Sequence, residues 1–321
     1  MTVYMLGSRG AEVRKIQEKL KKLDYYHGPL DGEFGGGTDA AVRSFQRVKE
    51  LKIDGRVGPI TWKELFHTKI ADPVIIKENI ERKCLTLTGC FETSVGIPEC
   101  FAGLSGNFDG QGLNFGALQW NFGKDSLQPL LREMINSRPD FMESIFQGNY
   151  PVLLAALESD KAELMAFARS IQNPVTFSIY EPWRGMFKSL GRREEFQKIQ
   201  LKYSGEIFQA ALHLCREYEL WSERALALMF DISVQNGSIS QLVKARIHAG
   251  FEELPSQMSP DAREIEKMRI VANRRADSAR PEWAEDVRAR KLCCANGAGY
   301  VHGVNYDLEA QFGIKLSRYD Q

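Results

Sequence analysis

The sequence predicts a mainly α-helical protein in two parts: a three-helix module at residues 1–67, and a larger helical domain at 68–321 that carries a small β-hairpin or sheet. Three features predict this. A chain of 321 residues suits two domains at about 150 residues each. The motif D-G-x-apolar-G-x-x-T occurs twice near the N-terminus, from Asp31 to Thr38 and from Asp54 to Thr61. Beyond it, apolar residues return every three or four positions over most of the chain, with a Gly- and Asn-rich interruption between Gly103 and Gly123.

Composition narrows the function classes. Lys plus Arg and Asp plus Glu number 42 each, so net charge offers no reason to expect a nucleic-acid partner. No run approaches the roughly 18 apolar residues of a spanning helix, and Met1 to Gly10 lacks the basic start and apolar core of a secretory signal. The expectation is a chain made soluble in the cytoplasm, without membrane insertion. Six cysteines without CxxC spacing are expected as buried thiols, and five scattered histidines form no HxxxH pair, so no metal or other cofactor is expected. Oligomeric state stays open.

In the module, Val13, Ile16 and Leu20 share one face of a first helix, Ala41, Val42 and Phe45 line a second, and Trp62 and Leu65 close a third. Each Asp-Gly pair reads as a tight turn, with Thr38 and Thr61 expected to cap the helix that follows. Trp62 is assigned to the core. Tyr25 and Tyr26 are candidates to stack on sugar rings or, alternatively, to cover the core's edge. This pattern, with Gly10, Val13, Gln17, Leu20, Tyr25, both Asp-Gly turns, Ala41, Val42, Phe45, Gln46 and Trp62, resembles the peptidoglycan-binding domain 1 family over residues 4–66. The resemblance implies a targeting module that attaches an enzyme to the cell wall. Its 12 basic against 9 acidic residues suit an anionic wall.

From Ile70, the residues Val74, Ile75, Asn79, Ile80, Lys83, Cys84, Leu85 and Leu87 read as one long helix ending near Gly89 or just beyond, with Glu92 at its end. Phe108, Leu113, Phe115, Ala117 and Leu118 then alternate through a hairpin or small sheet, with Asp109 in its first turn. A carboxyl at the sheltered end of an apolar helix suits an acid that protonates a leaving oxygen. A second, on a polar hairpin open to water, suits a base that activates water, and glycoside hydrolysis needs that pair.

The context Phe91-Glu92-Thr93-Ser94, then Asn107-Phe108-Asp109-Gly110-Gln111-Gly112, Asn114, Gly116 and Leu118-Gln119-Trp120, resembles the active-site region of the glycoside hydrolase family 46 chitosanases, which are lysozyme-superfamily enzymes. The resemblance implies a lysozyme-like fold, Glu92 as general acid and Asp109 as general base for inverting hydrolysis, and Asn114 where the attacking water is held. Gln111 and Gln119 are the expected substrate contacts. The family normally has Thr in place of Asn114 and Arg in place of Gln111. Phe230 to Gly237 resembles its central helix, where a buried Asp anchors a charge network towards the catalytic Glu. Asp231 follows six apolar residues and needs a buried cation; Arg274 and Arg290 are the expected partners.

Further helices are expected at 126–135, 163–171, 194–218, 222–235, 240–249, 261–279 and 281–293, with Trp183 and Trp283 packed in cores and 297–303 as a loop carrying Tyr300 and His302. Both halves then point to a cell-wall hydrolase, endolysin- or muramidase-like, that cuts the β-1,4 glycan strand of peptidoglycan. A chitosanase with a wall-binding module, a lytic transglycosylase that needs Glu92 but no base, and a non-catalytic wall-binding protein are the alternatives.

Overall fold

The fold is that of a computed structural model, which describes residues 3–8, 10–70 and 73–319. Helices dominate it, and the described residues contain one three-stranded and one two-stranded antiparallel sheet. No helix among them is long and apolar enough to cross a membrane. The chain divides into two compact units, Met1–Cys84 with Ile207–Gln321, and Leu85–Glu206, so the N-terminal module shares its unit with the C-terminal helices.

The module packs α1 (Ala11–Lys22), α2 (Gly36–Val48) and α3 (Pro59–Phe66) around Val13, Ile16, Leu20, Val42, Phe45 and Leu65, with Trp62 in the same core. Thr38 and Thr61 are not caps. Gly35 and Gly58 stand at the two helix starts, and each threonine lies inside its helix, buried. A glutamine clamp takes them up instead. Gln17 Oε1 accepts from Gly32 N at 2.9 Å, while its Nε2 donates to Asp31 Oδ1 at 2.8 Å and faces Thr38 Oγ1 at 3.3 Å. Gln46 repeats this on the second motif, with Gly55 N at 2.9 Å, Asp54 Oδ1 at 3.0 Å and Thr61 Oγ1 at 3.2 Å. Each Asp-Gly turn is thus pinned by the helix before it, which satisfies polar groups inside a small core.

The long helix expected from Ile70 is broken. A 3-10 turn occupies Val74–Lys77, and α4 (Ile80–Thr93) begins where Asn79 Oδ1 accepts from Arg82 N at 2.9 Å, an N-cap bond. The strands β1 (Leu104–Ser105), β2 (Asn114–Phe115) and β3 (Trp120–Asn121) pair in order, Ser105 opposite Asn114 and Phe115 opposite Trp120. Helices α5 (Leu127–Ser137), α6 (Pro139–Phe146), α7 (Tyr150–Glu158), α8 (Lys161–Ser170), α9 (Trp183–Gly191) and α10 (Glu194–Glu217) follow. The short α6, α7 and α9 were not anticipated, although α6 and α7 each carry Pro in the first turn. Phe115 anchors the sheet by stacking on Phe196 at 5.4 Å and meeting Phe187 edge-on at 5.3 Å.

The C-terminal part of the first unit comprises α11 (Glu223–Asn236), α12 (Gln241–Glu252), α13 (Pro260–Asp277) and α14 (Ala284–Asn296). Ser222, Ser240 and Ser259 cap the first three through Ala225, Val243 and Ala262 N–H. The segment expected as a loop is a hairpin, β4 (Ala298–Val301) and β5 (Val304–Asp307), followed by α15 (Leu308–Phe312). Its two turn residues, His302 and Gly303, both have positive φ, as a two-residue hairpin turn of matching twist requires. Trp183 is buried, but Trp283 is 59% exposed and packs in no core.

Candidate active site

Glu92 is the penultimate residue of α4, half-buried beside the fully buried Phe91. Two glycines let this last turn of the helix rest on the small sheet. A Cβ on Gly89 would lie 2.8 Å from that of Ala117, in the β2–β3 turn, and one on Gly103 would lie 2.2 Å from Thr93 Cγ2. Ser94, at a φ of +55°, then carries the chain out of the helix.

Asp109 is exposed in the turn between β1 and β2, where its carboxylate is held from two sides. Oδ1 accepts from Gln111 N at 3.0 Å, closing an Asx turn, and from Asn114 Nδ2 at 3.3 Å. Asn114 is only 3% exposed. Strand alternation sends its side chain to the face opposite Phe115, and its second N–H donates to Gly106 O at 3.2 Å. Its amide nitrogen is therefore fully used, and its Oδ1 is the atom left for a further group.

The turn is braced from outside. Asn107 Oδ1 accepts from Gly112 N at 2.7 Å, and Gln172 Oε1 accepts from Asn107 N at 2.7 Å. Gln200, fully buried on α10, accepts from Ala117 N at 2.9 Å and donates to Phe101 O at 2.9 Å. Gln172 and Gln200 carry little signal in the sequence: Gln200 is a neutral amide on a helix, and Gln172 sits just past the end of α8 in a bridge with Ile179. Gln111 is tied to the sheet through its carbonyl, which accepts from Gly123 N at 2.8 Å. Gln119 accepts from Ser105 Oγ at 3.1 Å and donates to Gly116 O at 2.8 Å.

Asp231 is fully buried on α11. Arg290 Nη2 donates to its Oδ1 at 2.6 Å, and Lys291 Nζ donates to its Oδ2. The expected Arg274 is not a partner. It is 44% exposed, 3.9 Å from Asp277, because α13 turns it to the surface while α14 presents Arg290 and Lys291 in succession. Burial alone would push the Asp231 carboxyl up; the charges of Arg290 and Lys291, then their hydrogen bonds, outweigh it and hold the group at about 2. Lys291 also donates to Gln235 Oε1 at 2.6 Å, so the cluster closes between α11 and α14.

On the module, Tyr25 and Tyr26 line a groove of about 460 Å³ with His27, Pro29 and Ser44. Both rings also serve the core: Tyr26 is buried with its hydroxyl donating to Pro29 O at 2.8 Å, and Tyr25 meets Phe45 edge-on at 5.5 Å. All six cysteines are buried thiols. Among the described residues, no three His, Cys, Asp or Glu side chains converge as a metal site.

Residues 9–65 match the sequence profile of a family described as a putative peptidoglycan binding domain. A spore cortex-lytic enzyme of Oceanobacillus iheyensis is 35% identical over 80 residues, 25% of this chain and 29% of that protein. An N-acetylmuramoyl-L-alanine amidase of Mycobacterium tuberculosis is 36% identical over 74 residues, 20% of this chain and 18% of the other. The chain thus spans less than a third of the length of these relatives. Among solved structures, a native chitosanase from Bacillus subtilis MY002 is similar over 71% of this chain and 98% of its own, at 14% identity and a TM-score of 0.46.

Proposed function

We propose, from the premise that residues 9–65 are a peptidoglycan-binding sequence, that this chain is a cell-wall glycan hydrolase. Residues 1–67 hold the polymer and residues 68–321 cut its β-1,4 glycosidic bonds. One observation carries the catalytic half: the last turn of α4, bearing Glu92, packs on the sheet whose turn holds the Asp109 carboxylate between Gln111 N and Asn114 Nδ2. In this reading Glu92 protonates the leaving oxygen. Asp109 takes a proton from water, and Asn114 Oδ1 accepts the other hydrogen of the same water, aiming its lone pair at the anomeric carbon with inversion. The two bonds into Asp109 Oδ1 fix the base without occupying Oδ2, which is the oxygen that receives the proton. Gln111 and Gln119 contact the sugar.

Besides the Asp109 carboxylate, the polar side chains bonded around the sheet, Ser105, Asn107, Asn114 and Gln119, are neutral. Amides pair with acetamido groups, whereas the protonated amines of chitosan call for carboxylates, so this lining favours peptidoglycan. The deciding experiment compares purified sacculi with chitosan and follows products by mass spectrometry and anomeric NMR. Release of reducing ends from sacculi with inverted configuration is expected; anhydro ends replace the reading by a transglycosylase, and release from chitosan alone by a chitosanase.

A further inference from the structure

The β4–β5 hairpin carries side chains that its core role leaves unexplained. Cross-strand pairing puts Ala298 opposite Asp307 and Tyr300 opposite Asn305, so these four share one face, while Val301 and Tyr306 are buried on the hairpin's other side or edge. The shared face borders a groove of about 610 Å³, whose opposite wall is the module's second Asp-Gly turn with Arg43, Asp54 and Arg56. Asn305 Nδ2 donates to Leu6 O and fixes the hairpin against the module.

We propose that this groove is a subsite for one pyranose ring of the wall glycan, distinct from the Glu92–Asp109 pair and from the Tyr25–Tyr26 groove; it rests on the reading of the protein as a glycan-binding hydrolase. The Tyr300 ring is 63% exposed and offers the flat apolar surface on which the C–H face of a sugar packs. Beside it, Arg56 Nη2 and Asp307 Oδ2 stand 3.8 Å apart, too far for a direct hydrogen bond. A strong donor and a strong acceptor therefore lie side by side, where a sugar hydroxyl can accept from one and donate to the other. Asp307 Oδ1 is held by Ala310 N at 2.9 Å, and Arg43 is held by Asp39 at 2.7 Å, the Ile53 carbonyl at 3.3 Å and the Asp54 carbonyl at 3.1 Å, so both walls are set before the sugar arrives.

The test titrates the full chain, as its E92Q variant so that nothing is cut, with a soluble N-acetylglucosamine tetramer, read from backbone amide NMR signals. Signals of Arg56, Gly299, Tyr300 and Asn305 are expected to move. Y300A should weaken that response about tenfold, with Y300F retaining it, and R56Q should weaken it too. Hairpin signals that stay still, or equal affinity in Y300A and its parent, overturn the subsite. The rate of E92Q on sacculi decides the catalytic reading separately, since loss of turnover there is independent of where the tetramer binds.

Discussion

Glu92 and Asp109 occupy unlike surroundings, a half-buried helix end and an exposed turn, and each supports a different single-residue test. Glu92→Gln keeps the shape and removes the proton, so turnover of sacculi should fall by about 10²–10⁴-fold with folding and wall binding intact; Asp109→Asn should fall comparably. Wild-type clearing by both variants would put the active site elsewhere. Asp231 makes a stability prediction instead. Asp231→Ala leaves Arg290 and Lys291 buried without their carboxylate, at a cost of about 3–5 kcal/mol, read as a marked fall in Tm. Its pH dependence follows from a carboxyl held below its unfolded value of 3.8, at about 2. The contribution is complete above the unfolded value and is lost as pH falls from about 4 through 2, amounting to about 2 kcal/mol. Denaturant melts of wild type and Asp231→Asn should therefore converge across that window; a gap that stays constant would show that Asp231 keeps no shifted proton equilibrium.

At the level of elements, the two glutamine clamps explain why the D-G-x-apolar-G-x-x-T motif repeats. Gln17 and Gln46 each satisfy a turn amide and an Asp carboxylate inside the module, so Gln46→Ala should cost about 1–3 kcal/mol by stranding Gly55 N–H. Differential scanning calorimetry checks this, and an unchanged melt would make the clamp dispensable. The helix–sheet contact makes a sharper demand. Gly103→Val forces side-chain atoms into the space of Thr93, so it should displace the last turn of α4 and depress turnover on sacculi more than Tm. Full activity in that variant would free Glu92 from dependence on this packing. The periodicities of α1, α2 and α3 were legible in the sequence, as were the serine starts of α11 and α12. The threonine caps were misread because a buried glutamine, distant in sequence, competes for the same hydroxyls. The β4–β5 hairpin was misread because its strands are four residues each and its turn lacks a Gly-first or Asn-Gly signal.

For the whole molecule, the proposed division of labour between holding and cutting predicts that a fragment of residues 1–67 sediments with insoluble sacculi but releases no soluble product, while the full chain does both. Should the fragment stay in the supernatant when full-length protein sediments, the binding role passes to other surfaces, the hairpin groove first among them. Local spacing in the sequence determines the mainly helical content, the small N-terminal three-helix module with its core residues, the position of Glu92 near a helix end and the placing of Asp109 in a polar turn. Each is written in local spacing, where helical periodicity, an Asp-Gly turn or a run of glycines acts over a few neighbouring residues. Only the tertiary structure decided that Asn114 binds Asp109 directly, that Gln172 and Gln200 brace the sheet, and that Lys291 rather than Arg274 completes the pocket of Asp231. Those partners are chosen by which elements, distant in sequence, pack together. The consecutive Arg290 and Lys291 of α14 both reach Asp231, whereas Arg274 of α13 points to solvent, a choice between two helices that the apolar spacing of neither one records.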